Sequence, residues 1–142
     1  MATGLENLWI YKLAEDLEVK VYEVTKAFPR DEFYRSVDQL RRSSSSVSDN
    51  IAEHYHKTTT KEKIRFLHIA KGEMEETRRG LLKSARKKFL LEKTAAEIAD
   101  QYTVLMKGTS SYIRFLELNN IGKNLNHKLN TKTINSKPPT KN

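Results

Sequence analysis

Glu53 and His56 stand in a Glu-x-x-His spacing, the pattern by which one helix presents two ligands to a di-iron centre in a four-helix bundle. Such a centre needs a second Glu-x-x-His and a further Glu from each of two other helices. The remaining histidines, His54, His68 and His127, supply no second pattern. His54 and His56, two residues apart, point to different faces of a helix. The pair therefore reads as a solvated helix terminus, and neither a metal nor a cofactor is expected. Nucleophilic chemistry finds no better footing. Serines are plentiful, but there is no Gly-x-Ser-x-Gly elbow, no Gly-rich phosphate loop and no cysteine. Most carboxylates lie beside a Lys or Arg, as in surface ion pairs. The expectation is a protein without catalytic residues.

Cationic side chains are the other chemistry on offer. Arg78, Arg79, Lys83, Arg86, Lys87 and Lys88 follow one another with no acid between them. On a helix, Arg79, Lys83, Arg86 and Lys87 fall along one face and could track a phosphate backbone, with salt-sensitive affinity. The same cations near a helix C-terminus also complement the macrodipole and keep a protein in solution, so both readings stay open. Arg41 and Arg42 form a second, smaller basic site. Either it meets nucleic acid, or it pairs with Glu73, Glu75 or Glu76, the more structural reading. The aromatics Tyr22, Phe28, Phe33, Tyr55, Phe66, Tyr102 and Tyr112 fall mostly at or beside core positions, so no base-stacking platform is expected. Trp9, with Leu5 and Leu8, widens the apolar face of the first helix and is a candidate oligomer contact.

Four helical patterns carry these residues. Ile10, Ala14, Leu17, Val21, Val24 and Phe28 recur in steps of four and three and predict a helix over 5–28, stopped by Pro29. Asp31 is a candidate N-cap for a helix over 32–56, whose core seam is Phe33, Val37, Leu40, Ser44, Val47, Ile51 and Tyr55. Beside that seam runs a polar stripe of Gln39, Ser43, Ser46, Asn50 and Glu53, either solvated or facing a partner. Four serines in a row, Ser43 to Ser46, are poor helix formers, so close packing has to justify them. Thr59 or Thr60 can cap a helix over 61–88, with Ile64, Leu67, Ala70, Met74, Thr77, Leu81 and Ala85 inward. Gly72 and Gly80 within it each predict a close helix contact, since an interior glycine costs about 1 kcal/mol against alanine. Ala95, Ile98, Tyr102, Leu105, Thr109, Tyr112 and Leu116 predict a fourth helix over 94–119, with Gly122 as its stop. Short connections make consecutive helices antiparallel, giving an all-α, up-down four-helix bundle over 1–122.

A single domain suits 142 residues. The net charge is +8, yet residues 123–142 hold five lysines and no acid, leaving only +3 for the rest. With Asn, Thr and the Pro138–Pro139 pair, that segment is expected to be a disordered basic tail. The longest apolar runs, such as Leu8–Tyr11, fall far short of the ~20 residues that cross a bilayer. The start of the chain has no basic-then-apolar leader pattern. Without cysteine, a cytoplasmic protein with no membrane contact is the default expectation.

The ordered motifs resemble a known family, the bacterial four-helix-bundle proteins encoded within intervening sequences of large-subunit ribosomal RNA genes. They are Leu8-Trp9, Ala14, Leu17, Val21-Tyr22, Thr25 and Phe28-Pro29, then Gln39-Leu40-Arg41-Arg42 and Asn50-Ile51-Ala52-Glu53. Phe66-Leu67, Ile69-Ala70-Lys71-Gly72 and Glu75 or Glu76 follow, so the likeness spans Leu8 to about Leu116. Three positions depart: Ser43-Ser44 where the family has small residues such as Ala, His54 where it has Gly, and Glu73 where it has Ser. The resemblance implies an up-down bundle assembling into a ring-like homopentamer. It also implies relatedness to accessory proteins of diversity-generating retroelements, which bind nucleic acid and a reverse transcriptase. It implies no defined biochemical activity. The expected function is a non-catalytic oligomeric bundle that binds nucleic acid, RNA favoured, through Arg78–Lys88, Arg41, Arg42 and the tail. The alternative is a protein–protein scaffold or accessory subunit. Ser43, Ser46, Asn50, Glu53 and Gly72 join Trp9 as candidate subunit or close-packing contacts.

Overall fold

The structure is a computed structural model that describes residues 4–135, with side chains through 129. Among the described residues there are four α-helices: α1 (Trp9–Thr25), α2 (Asp38–Tyr55), α3 (Thr60–Arg86) and α4 (Glu92–Asn135). Cross-helix contacts fix their directions. Ser48, just past the middle of α2, reaches Glu18 of α1, while Arg41 near its start reaches Thr25. Ser43 meets Thr77 and Leu40 meets Gly80, so α2 and α3 run opposite ways. Trp9 covers Gly108 and Lys20 reaches Gln101, so α1 and α4 do too. The result is the antiparallel bundle, with α4 closing against α1.

Most seam residues do what their spacing predicts. Ile10, Leu17, Val21, Leu40, Val47, Ile51, Leu67, Met74, Leu81, Tyr102 and Leu105 are all buried in one core. Thr59 caps α3, its hydroxyl accepting from the Glu62 N–H at 3.1 Å.

Several local expectations need correction. The first helix ends at Thr25 rather than Phe28: the Thr25 hydroxyl donates to the Val21 and Tyr22 carbonyls, and single i→i−3 bonds carry the chain to Pro29. Asp31 caps nothing; it sits inside a 3₁₀ turn, Arg30–Glu32, that follows Pro29. A π-helical turn, Phe33–Val37, comes next. Its wider i→i+5 ladder places an extra residue in the turn and rotates everything before it away from the α-helical register. Phe33, placed in the seam by a 3.6-residue spacing, is therefore exposed. Gly72 makes no close contact, because nothing stands within 4 Å of where its Cβ would be. The close approach is at Gly80, where a Cβ would lie 2.8 Å from Leu40 Cδ2. Nor does Gly122 stop α4. A glycine weakens a helix but ends one only where the backbone turns left-handed, and no described glycine has a positive φ. The helix instead runs on to Asn135, through much of the segment expected to be disordered; the rest of that segment, 136–142, lies outside the described residues.

Among the described residues, the left-handed one is Lys88, at φ 69°, just past the end of α3. The Phe89 N–H donates to the Ser84 carbonyl and the Lys88 N–H to the Ala85 carbonyl, each at 2.9 Å. This is the Schellman arrangement that usually carries glycine. Phe89 then packs against Phe28, ring centroids 5.6 Å apart, and closes that end of the core. Lys88→Gly is expected to stabilise the protein by about 1 kcal/mol, since only a side chain is penalised at positive φ. A higher urea midpoint at unchanged slope would bear this out, and a lower midpoint would contradict it.

Candidate nucleic-acid interface

The basic run does not share one surface. Arg78 turns toward α4 and grips Glu75 with two bonds, Nε to Oε1 at 2.9 Å and Nη2 to Oε2 at 3.1 Å. That contact holds the Glu75 carboxyl below the usual carboxylate range. Lys88 lies in the turn described above, and Arg86 is exposed on α3 without lining the groove described next. Arg79, Lys83 and Lys87, spaced four apart, share the α2 side and line a groove of about 360 Å³ between α3 and the start of α2. Arg79 also lies 3.4 Å from Glu75, whereas Lys83 and Lys87 have no ion pair among the described residues.

Across the groove stands Arg35, a cation the sequence reading missed. It comes from the π-helical turn, which has no periodic signature in sequence. The opposing carboxylates are Glu32 and Glu76. Toward the middle of the bundle the groove continues for about 620 Å³, lined by Arg42, Gln39, Ser43 and Ser46 of α2 and by Glu73 and Glu76 of α3. Burial, then the neighbouring Glu76, pushes the Glu73 carboxyl up. The polar stripe of α2 and the basic row of α3 thus border one continuous trough.

Other candidate residues fall elsewhere. Arg41 does not pair with helix-three acids; it faces α1, its Nε donating to Thr25 Oγ1 at 2.9 Å and its guanidinium lying 4.1 Å from the centre of the Tyr22 ring. Arg42 does not pair with them either, bonding instead one turn back to Asp38 at 3.5 Å. An i,i+4 partner is already in reach, whereas the α3 carboxylates stand across open groove. Ser43 is buried, its hydroxyl 2.7 Å from that of Thr77. Asn50 donates back to the Ser46 carbonyl at 2.8 Å, and Glu53 pairs with Lys57 at 3.4 Å. Trp9 is 51% exposed, laid across Gly108, where a Cβ would overlap its ring. Among the described residues no three His, Cys, Asp or Glu side chains gather as a metal site would require.

His54 is the buried titratable group that periodicity did not reveal. Its Nδ1 faces the Ile51 carbonyl and its Nε2 lies 3.3 Å from the Tyr112 hydroxyl. The neutral ring satisfies both: Nδ1–H donates to the carbonyl, and Nε2 accepts from the tyrosine. Burial lowers the pKa, aided by the charges of Lys63 and His56 and opposed by the Ile51 bond. Above the ordinary histidine pKa neither folded nor unfolded chain carries this proton, so the stability is complete there. Below it the unfolded chain takes the proton first, and stability falls by up to about 1.4 kcal/mol per pH unit until the folded pKa is passed. The urea midpoint is expected to drop between pH 7.5 and 5.5. Glu73 titrates with the opposite sign, so a His54→Leu control isolates the imidazole: an equal drop in that variant would refute its role.

Among the described residues, no helix is long and apolar enough to cross a membrane. Comparison with known proteins adds the following. A family model described as "23S rRNA-intervening sequence protein" matches residues 6–111. A crystal structure of a protein of unknown function, from the S23 ribosomal protein family of Bacteroides thetaiotaomicron VPI-5482, superposes with a TM-score of 0.66 at 21% identity. The match covers 73% of this chain and 97% of that one, a likeness of fold. No curated protein matches.

Proposed function

The chain belongs to the 23S rRNA-intervening sequence protein family, and from that premise we propose that it is a non-catalytic, homopentameric bundle that binds RNA. The observation that carries the reading is the groove in which Arg79 and Lys83 of α3 and Lys87, its C-cap, meet Arg35. Cations four residues apart on a rigid helix are spaced about 6 Å along its axis, close to the separation of successive phosphates on an extended strand. Lys83 and Lys87 spend no charge on neighbouring acids. The lysines at 123 and 128, exposed on the last part of α4, add attraction without shape.

Gel shifts with a single-stranded RNA test it. Three or four phosphate contacts should weaken binding roughly 20- to 50-fold between 50 and 200 mM salt. Absence of any shift at 50 mM sinks the reading. Light scattering tests the pentamer separately, and a monomer would rule it out.

One observation favours a second reading, a scaffold or accessory subunit that binds protein. Glu73 and Glu76 line the middle of the trough, where a phosphate strand would be repelled and a mixed-charge protein surface would not. Capture of partners before and after nuclease treatment separates the two: protein partners should survive, and RNA-bridged ones should vanish.

A further inference from the structure

At the corner where α1 gives way to α2, aromatic rings and cations stand together in a way the bundle does not need. Tyr34 is 87% exposed and Phe33 52% exposed. Their rings meet edge to face, centroids 4.9 Å apart, an arrangement that covers at most one face of each. Both sit on the π-helical turn, a feature that recurs at functional sites and that here swings Phe33 off the core seam. The two rings border a groove of about 600 Å³. Among its nine lining residues are three cations, Lys26, Arg30 and Arg41, and no carboxylate.

The cations are partly positioned already. Arg41 and Lys26 lie 4.1 and 5.2 Å from the centre of the Tyr22 ring, and Arg41 is tied further to Thr25. The acids nearby are engaged or set aside. Glu32 is buried and accepts from Ser36 at 2.7 Å, Glu23 pairs with Lys26 at 3.3 Å, and Asp31 is exposed outside the lining.

We propose that this corner is a stacking site for unpaired RNA bases, with Tyr34 and Phe33 as the platform and Lys26, Arg30 and Arg41 holding the flanking phosphates. Open π-faces bordered by cations suit a base and its phosphodiester, since every base offers a face to stack and every linkage a charge. A duplex keeps its base faces covered and cannot use the rings. The inference rests on the RNA-binding reading above and adds to it a preference for single strands, at a corner that does not include the α3 row, although Tyr34 also borders the trough that continues from that row.

The test uses the full chain with a 15-nucleotide oligouridylate and, separately, a 15-base-pair RNA duplex. Tyr34→Ala is expected to weaken oligouridylate binding on the order of 10- to 100-fold. It should leave the salt slope and the duplex affinity unchanged. Tyr34→Trp should restore the single-strand affinity, which a loss of folding would not allow. By contrast, Lys83→Ala should lower the salt slope for both RNAs, by about 0.7 for the oligouridylate and about 0.9 for the duplex. If wild type binds and Tyr34→Ala and Phe33→Ala both bind oligouridylate like wild type, the stacking site is overturned and the α3 reading survives. If wild type binds neither RNA, both fall. A Tyr34→Ala protein of altered molar mass in light scattering would also overturn it, making the corner a contact between copies of the chain.

Discussion

The variant Arg79→Gln/Lys83→Gln/Lys87→Gln is expected to bind single-stranded RNA on the order of 100-fold more weakly than wild type at about 0.1 M salt. Each phosphate neutralised on a single strand contributes about 0.7 to the slope of log K against log salt. Three contacts make a slope of about 2, and extending it from ~1 M, where such attraction is screened out, to ~0.1 M gives the two decades. The fold should be untouched, because Lys83 on α3 and Lys87 at its C-cap are exposed and have no ion pair to lose among the described residues. Arg79 shares Glu75 with Arg78, so the Arg79 share is the smallest of the three. Arg86→Gln is the control: same helix, same charge lost, but outside the groove. If Arg86→Gln alone weakens binding as much as the triple change, the groove is not the binding surface. If affinity falls while the slope stays put, the lost interaction was not with phosphate.

Replacing both Ser43 and Ser44 by leucine is expected to cost about 1–3 kcal/mol at each position by overpacking. The combined loss is a large part of the ~5–15 kcal/mol that holds a domain together. Both serines are buried, Ser43 against Thr77 of α3, and Ser44 one turn ahead of Ser48, which reaches α1. A four-carbon side chain has no room where two helices meet over a hydroxyl. Ser43→Ala is the informative comparison. It should stay within about 1 kcal/mol of the parent, because Thr77 keeps its bond to the Glu73 carbonyl at 2.8 Å and alanine is the better helix former. Urea unfolding reads all of these. A leucine pair as stable as the parent would show that small size is not what the position requires. A large loss for Ser43→Ala would shift the credit to the hydroxyl.

What the order of residues determined by itself is the periodic part of the molecule. The steps of three and four that place Ile10, Leu17, Val47, Leu67, Met74 and Leu105 on inward faces need no partner to be read, because a helix repeats every 3.6 residues whatever it packs against. The cap of α3 was half legible: the sequence offered Thr59 or Thr60, and the structure gives it to Thr59, whose hydroxyl accepts from the Glu62 N–H. The run of serines also announced close packing, since its poor helix propensity asks for a tertiary reason. What only the tertiary structure decided are the places where that period breaks or where a side chain has two neighbours to choose from. The π-helical turn adds one residue without any mark in the sequence, and with it Phe33, Tyr34 and Arg35 turn outward to build one end of the groove and the aromatic corner. Arg41 had acids within imaginable reach on α3, yet the Thr25 hydroxyl and the Tyr22 ring lie on the side it faces. Gly72 and Gly80 look alike in sequence, and only the arrival of Leu40 separates them. Lys88 takes the left-handed turn that glycine usually takes, because the bond from Phe89 to Ser84 and the packing of Phe89 on Phe28 compensate a cost of about 1–2 kcal/mol. The basic row itself was legible as a run of charges, but which of its members face one groove depended on how α3 is rotated against α2. That rotation is set by buried contacts such as Ser43–Thr77 and Leu40–Gly80, not by the cations themselves.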